Sequence, residues 1–589
     1  MELNDQQLAA INNPGDTLLL AGPGTGKTAT LTAKAAKILK TSSEEPILLL
    51  TFSKKASFEM KERLTLNLKD SSEVAKNCFV GTVHSWCWWT LNQAKENKWT
   101  LIDEATKNSW ISQIVKSLGY KKGEWNRWVG LYRNESIELI PAEKLHEVKT
   151  IISELESHFE KEQGIDFDGI LLKFLELLER GELEQEISNI RYLLIDEVQD
   201  LNILQINIVR HVLKNDRVRL FAVGDYRQGI YGFRGAKPEI ILDLSSRLNR
   251  NIDVLQLTKT YRMSSKVTEI VNHIFPNLGE LQTYASKCGQ TFHLFTPTDY
   301  TEADWIAKHA ISLTHGQDFE PGTISKHIIN QTMGLGDLAI LVRTYQTADL
   351  IARSLDECSL PYSIVGRDSW PSFPQLVKLH ENLKKLIELE INSITNLKEV
   401  DDVILKLCDS PSLSLVEFLA KYWSDHKENR NMEGWINRLM MMARNYDKNW
   451  KVSLPYFLSE WNLLEASDEQ TAADRINIMS IHAAKGLEFE VVFVPGFDEG
   501  LLPYNLNGKE TDIEEEKRLL YVAASRAKSL LYFTSAKQRN VYGEIIKFEK
   551  SRFSNLIENS VEKLIDESGE KYMHRVRIEK MKKAQGSLF

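Results

Sequence analysis

The chain has 589 residues, 42% hydrophobic and 26% charged, too long for one ordinary core and composed like a soluble, multidomain globular protein. Its net charge of −9 excludes wholesale wrapping of nucleic acid by a basic surface, so any such contact falls to a local channel or patch. Cys78, Cys87, Cys288, Cys358 and Cys408 form no C-x-x-C pair, no apolar run is long enough for a bilayer, and Met1-Glu2-Leu3-Asn4-Asp5 is no secretion signal; a reduced, cytoplasmic setting is expected, without membrane contact, iron–sulfur cluster or zinc ribbon.

In chain order, Leu18–Ala21 is a short apolar strand running into Gly22-Pro23-Gly24-Thr25-Gly26-Lys27-Thr28, and helical spacing follows through Leu31, Ala35, Ile38 and Leu39. Buried strands are expected at Ile47–Thr51, Tyr192–Ile195, Leu220–Val223, Leu338–Val342, Ile476–Ile481 and Val491–Val494, with helices such as Lys54–Leu64 and Thr347–Asp356 between them. Strands alternating with helices imply parallel α/β sheets. Two long stretches rich in Glu, Lys, Leu and Trp, Leu91–Ser188 and Asp368–Asp474, read as mainly helical insertions into α/β domains. The tryptophans Trp86, Trp88 and Trp89 are assigned to packing. After Thr534 the strand signal fades, and from about Glu567 the chain is polar and basic.

The glycine-rich turn has a definite chemistry. Glycines allow consecutive backbone N–H groups to face a triphosphate at a helix start, Lys27 reaches the β- and γ-phosphates, and the Thr28 hydroxyl holds Mg²⁺. Gly22, Pro23, Gly24, Thr25 and Gly26 are the cradle; Ala21 stands where such a loop usually opens with glycine. The acid completing the metal site is expected at the end of a later apolar strand, and Asp196 follows Leu193-Leu194-Ile195, with Glu197 placed to orient or deprotonate water. The cofactors are therefore ATP and Mg²⁺.

In order and nearly along the whole chain, these motifs resemble the UvrD/Rep family of superfamily 1 DNA helicases. Leu3-Asn4-Asp5-Gln6-Gln7 is similar to the family's adenine-reading element, with Gln7 on the base edge. Thr51-Phe52-Ser53-Lys54-Lys55-Ala56 and Gly81-Thr82-Val83-His84-Ser85 resemble two DNA-contact motifs, and Asp196-Glu197-Val198-Gln199-Asp200 the metal and water motif. The run from Gly224 to Ala236 resembles the coupling motif, in which Gln228 senses the γ-phosphate while Tyr231 and Phe233 face bases. Leu257-Thr258-Lys259-Thr260-Tyr261-Arg262 is similar to the element whose Tyr stacks on adenine and whose Arg reaches the γ-phosphate. The resemblance carries DNA contact to His482, nucleotide contact to Glu488 and an arginine finger to Arg526.

It also implies two RecA-like parallel-sheet motor domains, each with a mainly helical insertion. The first would comprise 1–90 and 191–250 with the insertion 91–190; the second, 251–367 and 475–550 with a shortened insertion 368–474. A C-terminal helix and basic flexible tail would fill 551–589. Implied partners are single-stranded DNA and DNA junctions, gripped without base preference because stacking on Phe52, Tyr231 and Phe233 suits any base. Each of these aromatics, and His84 and His482, has a packed core role as its alternative. The family usually has arginine at the position of Ala29, asparagine at Lys54 and often tryptophan at Phe233, which shifts the expected grip toward phosphate contacts. About 60 residues follow Arg526, too few for a fused nuclease. The end, Gln585-Gly586-Ser587-Leu588-Phe589, resembles peptides that dock on bacterial sliding clamps, with Leu588 and Phe589 filling an apolar pocket and Gln585 as polar anchor. Three activities stay open: a 3′-to-5′ helicase acting as a monomer or weak dimer, a protein-stripping translocase, and an ATP-switched recruitment module for a separate nuclease or polymerase.

Overall fold

The computed structural model describes residues 3–41, 45–68, 77–94, 99–121, 123–276, 278–284, 289–315, 333–367, 372–392, 404, 413–425, 432–444, 446, 450–461, 474–505, 512–541 and 544–566. Gln585, Leu588 and Phe589 lie outside them. The chain divides into two compact units, Met1–Arg262 with Asn277–Tyr284, and Met263–Pro276 with Ala285–Phe589.

In the first unit the apolar runs become strands because each is short, β-branched or leucine-rich, and flanked by turns. β1 (Thr17–Ala21), β2 (Ile47–Thr51) and β3 (Cys78–Thr82) precede a helical insertion that holds the short pair β4 (Thr100–Leu101) and β5 (Gly164–Ile165). β6 (Tyr192–Ile195), β7 (Arg219–Gly224) and β8 (Asp253–Leu257) complete a sheet of order β3-β2-β6-β7-β1-β8 in which every pairing is parallel. Parallel strands require crossovers, and helix α2 (Lys27–Thr41) after β1 and helix α3 (Lys54–Leu68) after β2 supply them. Leu19, Leu49, Leu194 and Phe221 join α2 and α3 in one core layer on one face; Leu48, Leu193 and Leu220 join Phe174 and Val209 in the other. The arrangement aligns the carboxyl ends of β1, β7, β6, β2 and β3 along one rim of the sheet, where ligands bind in open α/β folds.

Part of the insertion has a core of its own. Ile111 and Ile114, Trp125 and Val129, and Val148, Ile151 and Leu155 bring together the helices Glu104–Ser117, Trp125–Arg133 and Leu145–Lys161. Buried Asp166, paired with Arg133 at 2.6 Å and Lys107 at 3.2 Å, accepts from Gly169 N and so caps the helix Phe167–Glu179, which packs back on the sheet. Trp86 is buried edge-on to Phe174 and Trp88 packs against the same core, as expected; Trp89 instead is 49% exposed beside Phe79. β9 (Lys259–Thr260) pairs in parallel with β10 (Gln282–Thr283), which attaches residues 278–284 to the first unit.

The second unit contains β11 (Gln290–Thr298), β12 (Leu338–Val342), β13 (Tyr362–Val365), β14 (Ile476–Ser480), β15 (Phe489–Pro495), β16 (Ala527–Val541), β17 (Glu544–Lys547) and β18 (Glu562–Ile565). Their order is β13-β14-β12-β15-β16-β11-β18, parallel throughout, with β17 antiparallel to the end of β16. Between β13 and β14 the described residues form the helices Pro374–Asn392, Leu415–Asp425, Glu433–Ala443 and Trp450–Trp461. Among the described residues, no helix is long and apolar enough to cross a membrane.

The expected loss of strand signal after Thr534 is overturned. β16 continues to Val541, β17 folds back on it, and β18 adds a parallel edge, while the only helix described beyond 550 is the four-residue Ser554–Ile557. The signal was masked because the inward residue of this stretch is charged: buried Arg539 meets Glu302 at 2.7 Å and Asp498 at 2.5 Å. Thr534 Oγ1 donates to the same Glu302 at 2.7 Å. Arg539→Ala would strand two buried carboxylates, so the unfolding free energy should fall by about 3–5 kcal/mol. Urea denaturation of the second unit's transition measures this, and a loss below about 1 kcal/mol contradicts the triad's role.

Candidate nucleotide site and nucleic-acid interface

The phosphate loop joins β1 to α2. Gly24 and Gly26 sit at φ +70 and +87, the left-handed region where a side chain is strained, and a Cβ on Gly24 would come within 2.7 Å of Thr260 Oγ1. Thr25 Oγ1 donates to Gly22 O at 2.8 Å and Thr30 N to Gly26 O at 2.9 Å, so the loop curls into the first turn of α2. The N–H groups of that turn form an anion-binding end. Lys27 Nζ lies 3.0 Å from Glu197 Oε1. The residues after β8 clasp the loop from outside: Thr260 Oγ1 donates to Pro23 O at 3.0 Å and Tyr261 N to Gly24 O at 2.8 Å, with Arg262 next in line against Gly24. Helix α1 (Asp5–Asn12) closes the other side. Its cap Asn4 forms a capping box with Gln7, whose Nε2 donates to Thr25 O at 3.1 Å, and Asn4 Nδ2 donates to the Tyr261 hydroxyl at 2.8 Å.

Asp196 is buried at the end of β6, and the chain turns sharply at Glu197, whose φ of 52 is left-handed for a residue with a side chain. Gln199 Nε2 donates to Glu197 Oε2, while Gln199 Oε1 accepts from Asp225 N at 3.0 Å. Asp225 Oδ1 accepts from Arg227 Nε at 2.8 Å, and Asp225 Oδ2 from Gln228 Nε2 at 2.9 Å. Burial alone would raise the Asp225 pKa, but the Arg227 guanidinium, with help from Lys27 and Gln228, holds it below the ordinary value, so the carboxylate is ionised. Gln7, Gly22–Lys27, Glu197, Gln228 and Tyr261 are thus joined by one network around the loop, with Thr28 and Arg262 next to it in the chain. Gln199, Asp225, Arg227 and Thr260 lie inside the motifs, but their roles are not visible in the sequence because their partners are brought near only by the fold.

The DNA-contact candidates sit past the neighbouring strand ends. Phe52, after β2, stacks on Tyr231 with centroids 4.6 Å apart, and Tyr231 lies 6.1 Å from Phe233, which is 45% exposed. Lys54 opens α3 and is largely buried. His84 stacks on Phe167 at 3.6 Å. Burial pushes its pKa down to about 3, opposed by Asp166 and aided by Lys54, so the ring is neutral at physiological pH.

In the second unit His482 lies half-buried in the turn after β14, and Glu488 pairs with Lys528 at 3.0 Å. Arg526 is 1% exposed; its guanidinium donates to Val522 O at 3.0 Å, Leu487 O at 3.1 Å and Ser525 Oγ at 2.8 Å, which fixes it beside the Glu488 segment.

With this geometry in view, comparison with known sequences is decisive. The UvrD/REP helicase N-terminal domain matches residues 3–249, and the UvrD-like helicase C-terminal domain matches residues 375–538. The chain belongs to the UvrD/Rep helicase family. It is similar to the ATP-dependent DNA helicase PcrA of Staphylococcus aureus (strain COL), 26% identical over 651 residues covering 95% of this chain and 86% of the relative. The PcrA of Staphylococcus epidermidis is 26% identical over 94% of this chain and 86% of its own length. The probable DNA helicase II homolog of Mycoplasma capricolum is 26% identical over 91% of this chain and 84% of its own. The two parallel-sheet units are the family's RecA-like domains, each carrying a mainly helical insertion.

His84 also gives a pH test. The native ring stays neutral down to about 3, whereas a histidine in the unfolded chain takes up a proton near 6.5. The unfolded state binds more protons in that window, so stability falls as pH drops from about 6.5 toward 3. His84→Phe should therefore lose stability less steeply than wild type between pH 7 and pH 5 in thermal melts; parallel slopes would show that the ring titrates freely.

Proposed function

We propose that the chain is an ATP-dependent DNA helicase that moves 3′ to 5′ along single-stranded DNA and separates strands as it goes. The observation that carries this reading is the network at the strand ends, in which the loop lysine, the Glu197 carboxylate and the Gln228 amide are tied together through Gln199 and Asp225. The triphosphate would lie along the loop N–H groups with Lys27 on its β- and γ-oxygens, the base between Gln7 and Tyr261, and Glu197 orienting and deprotonating the attacking water. Thr28 and Asp196 offer hard oxygen donors that suit Mg²⁺. Among the described residues no cluster of three His, Cys, Asp or Glu side chains could hold a metal alone, so phosphate oxygens and water would complete its shell. Bound there, the ion supplies charge compensation on the phosphates. Arg262 would stabilise the charge that develops on the γ-phosphoryl group; Glu488 and Arg526 are the second unit's own candidates for nucleotide contact. Phe52, Lys54, His84, Tyr231 and Phe233 would contact the strand on the first unit and His482 on the second, and the link from Gln228 along its own loop to Tyr231 would connect the state of the γ-phosphate to the grip on the bases.

Lys27→Ala and Glu197→Gln should each cut DNA-stimulated ATP hydrolysis by roughly a hundredfold or more, with Glu197→Gln still binding ATP. The same preparations, given duplexes with 3′ or 5′ single-stranded tails, should show wild type opening only the 3′-tailed substrate. Normal turnover in either variant would remove the site assignment. Opening of the 5′-tailed duplex alone would reverse the polarity, and hydrolysis without strand separation would replace the helicase by a translocase.

A further inference from the structure

Residues 278–284 are held against the first unit at several points. Arg227 Nη1 donates to Gly279 O at 3.1 Å, Gln282 N to Thr258 O at 2.8 Å and Tyr284 N to Thr260 O at 2.9 Å. Leu281 packs so closely behind the phosphate loop that a Cβ on Gly22 would lie 2.6 Å from its Cδ2. This short ladder, parallel to the strand that leads into Tyr261, delivers Tyr284 to Tyr261: the ring centroids are 5.0 Å apart and the planes inclined by 56°. Tyr261 is fixed by the bond from Asn4 to its hydroxyl. Tyr284 is 67% exposed, against a half-buried Tyr261, and touches its neighbour without being packed away by it. Most of its surface is therefore left open to a further flat partner.

We propose that Tyr284 is a second base-stacking side chain of the nucleotide site, closing on the face of the base opposite Tyr261 and favouring purine triphosphates. This rests on the reading of Tyr261 as the base platform. Two rings sandwich a flat base at about 7 Å, each at ordinary stacking distance. Opening the pair from 5.0 Å needs only a rotation about the side-chain bonds of the exposed ring, since its backbone is already anchored. Purines present more ring area to such a clamp than pyrimidines, so the second face sharpens selection by base size, while the backbone ladder ties its position to the loop that holds the phosphates.

The test measures kcat and KM for ATP and for UTP, at saturating single-stranded DNA, in the full chain and in Tyr284→Ala, Tyr284→Phe and Tyr261→Ala. Tyr284→Ala should raise KM for ATP about fivefold to tenfold, the scale of one lost stacking face, with kcat within about twofold and the ATP-over-UTP preference in kcat/KM reduced. Tyr284→Phe keeps the ring and should match wild type. Because Tyr284 is mostly in water, folding is not at stake in these variants. A raised KM in Tyr261→Ala with wild-type behaviour in Tyr284→Ala overturns the proposal and leaves the base platform standing. Unchanged KM in both removes the platform and the proposal together. A fall in kcat alone, or a defect that Tyr284→Phe shares, also overturns stacking as the role of Tyr284.

Discussion

The candidate nucleotide site is held in register by one buried carboxylate. Asp225 collects the Arg227 guanidinium and the Gln228 amide on its oxygens and gives its N–H to Gln199, which in turn holds Glu197 against Lys27. A buried charge is tolerated only when paired and fully bonded, so this arrangement has one low-energy form. Each group proposed to meet a phosphate or a water is therefore positioned by a bond to the next. Glu197 illustrates the cost: its left-handed backbone persists because the surrounding bonds hold it there.

That network is possible only because the parallel sheet brings the ends of β1, β6 and β7 side by side. Ala21, Ile195 and Gly224 are far apart in sequence, yet each strand hands its next residues to the same rim. The neighbouring ends of β2 and β3 carry Phe52 and His84, so the surface proposed to read phosphate state continues into the surface proposed for DNA, with the Phe52–Tyr231 stack as the bridge. In the second unit a comparable buried cluster, Arg539 with Glu302 and Asp498, serves a different end: it ties β16 to the helix Asp299–His315 and to the turn after β15.

Much of the fold was legible because central parallel strands, buried on both faces, read as unbroken apolar runs; Ile47–Thr51, Tyr192–Ile195 and Leu338–Val342 are strands at the bounds expected. Strands at sheet edges were not. Asp253–Leu257 is mostly exposed, Glu562–Ile565 almost wholly so, and the end of β16 hides a buried arginine, leaving no apolar run to read. The glycine-rich loop was legible because its pattern is local: glycines, lysine and threonine fall within one turn. Gln199, Asp225 and Arg227 were not, since a bond between residues 26 positions apart exists only once β6 and β7 are adjacent. His84 shows the same limit, because its neutrality comes from Phe167 and burial beneath a helix that the sequence marked only as part of an insertion.

The most direct test of the central claim is Asp225→Asn, which preserves size and removes the charge that gathers Arg227 and Gln228. Nucleotide affinity and single-strand-stimulated turnover should be measured on one preparation. The account predicts ATP affinity within about threefold of wild type and turnover lower by about tenfold or more, because the loop still binds phosphate while Gln228 and Glu197 lose their alignment. Turnover within about twofold of wild type would show that the site keeps its geometry without the carboxylate, and would contradict the account.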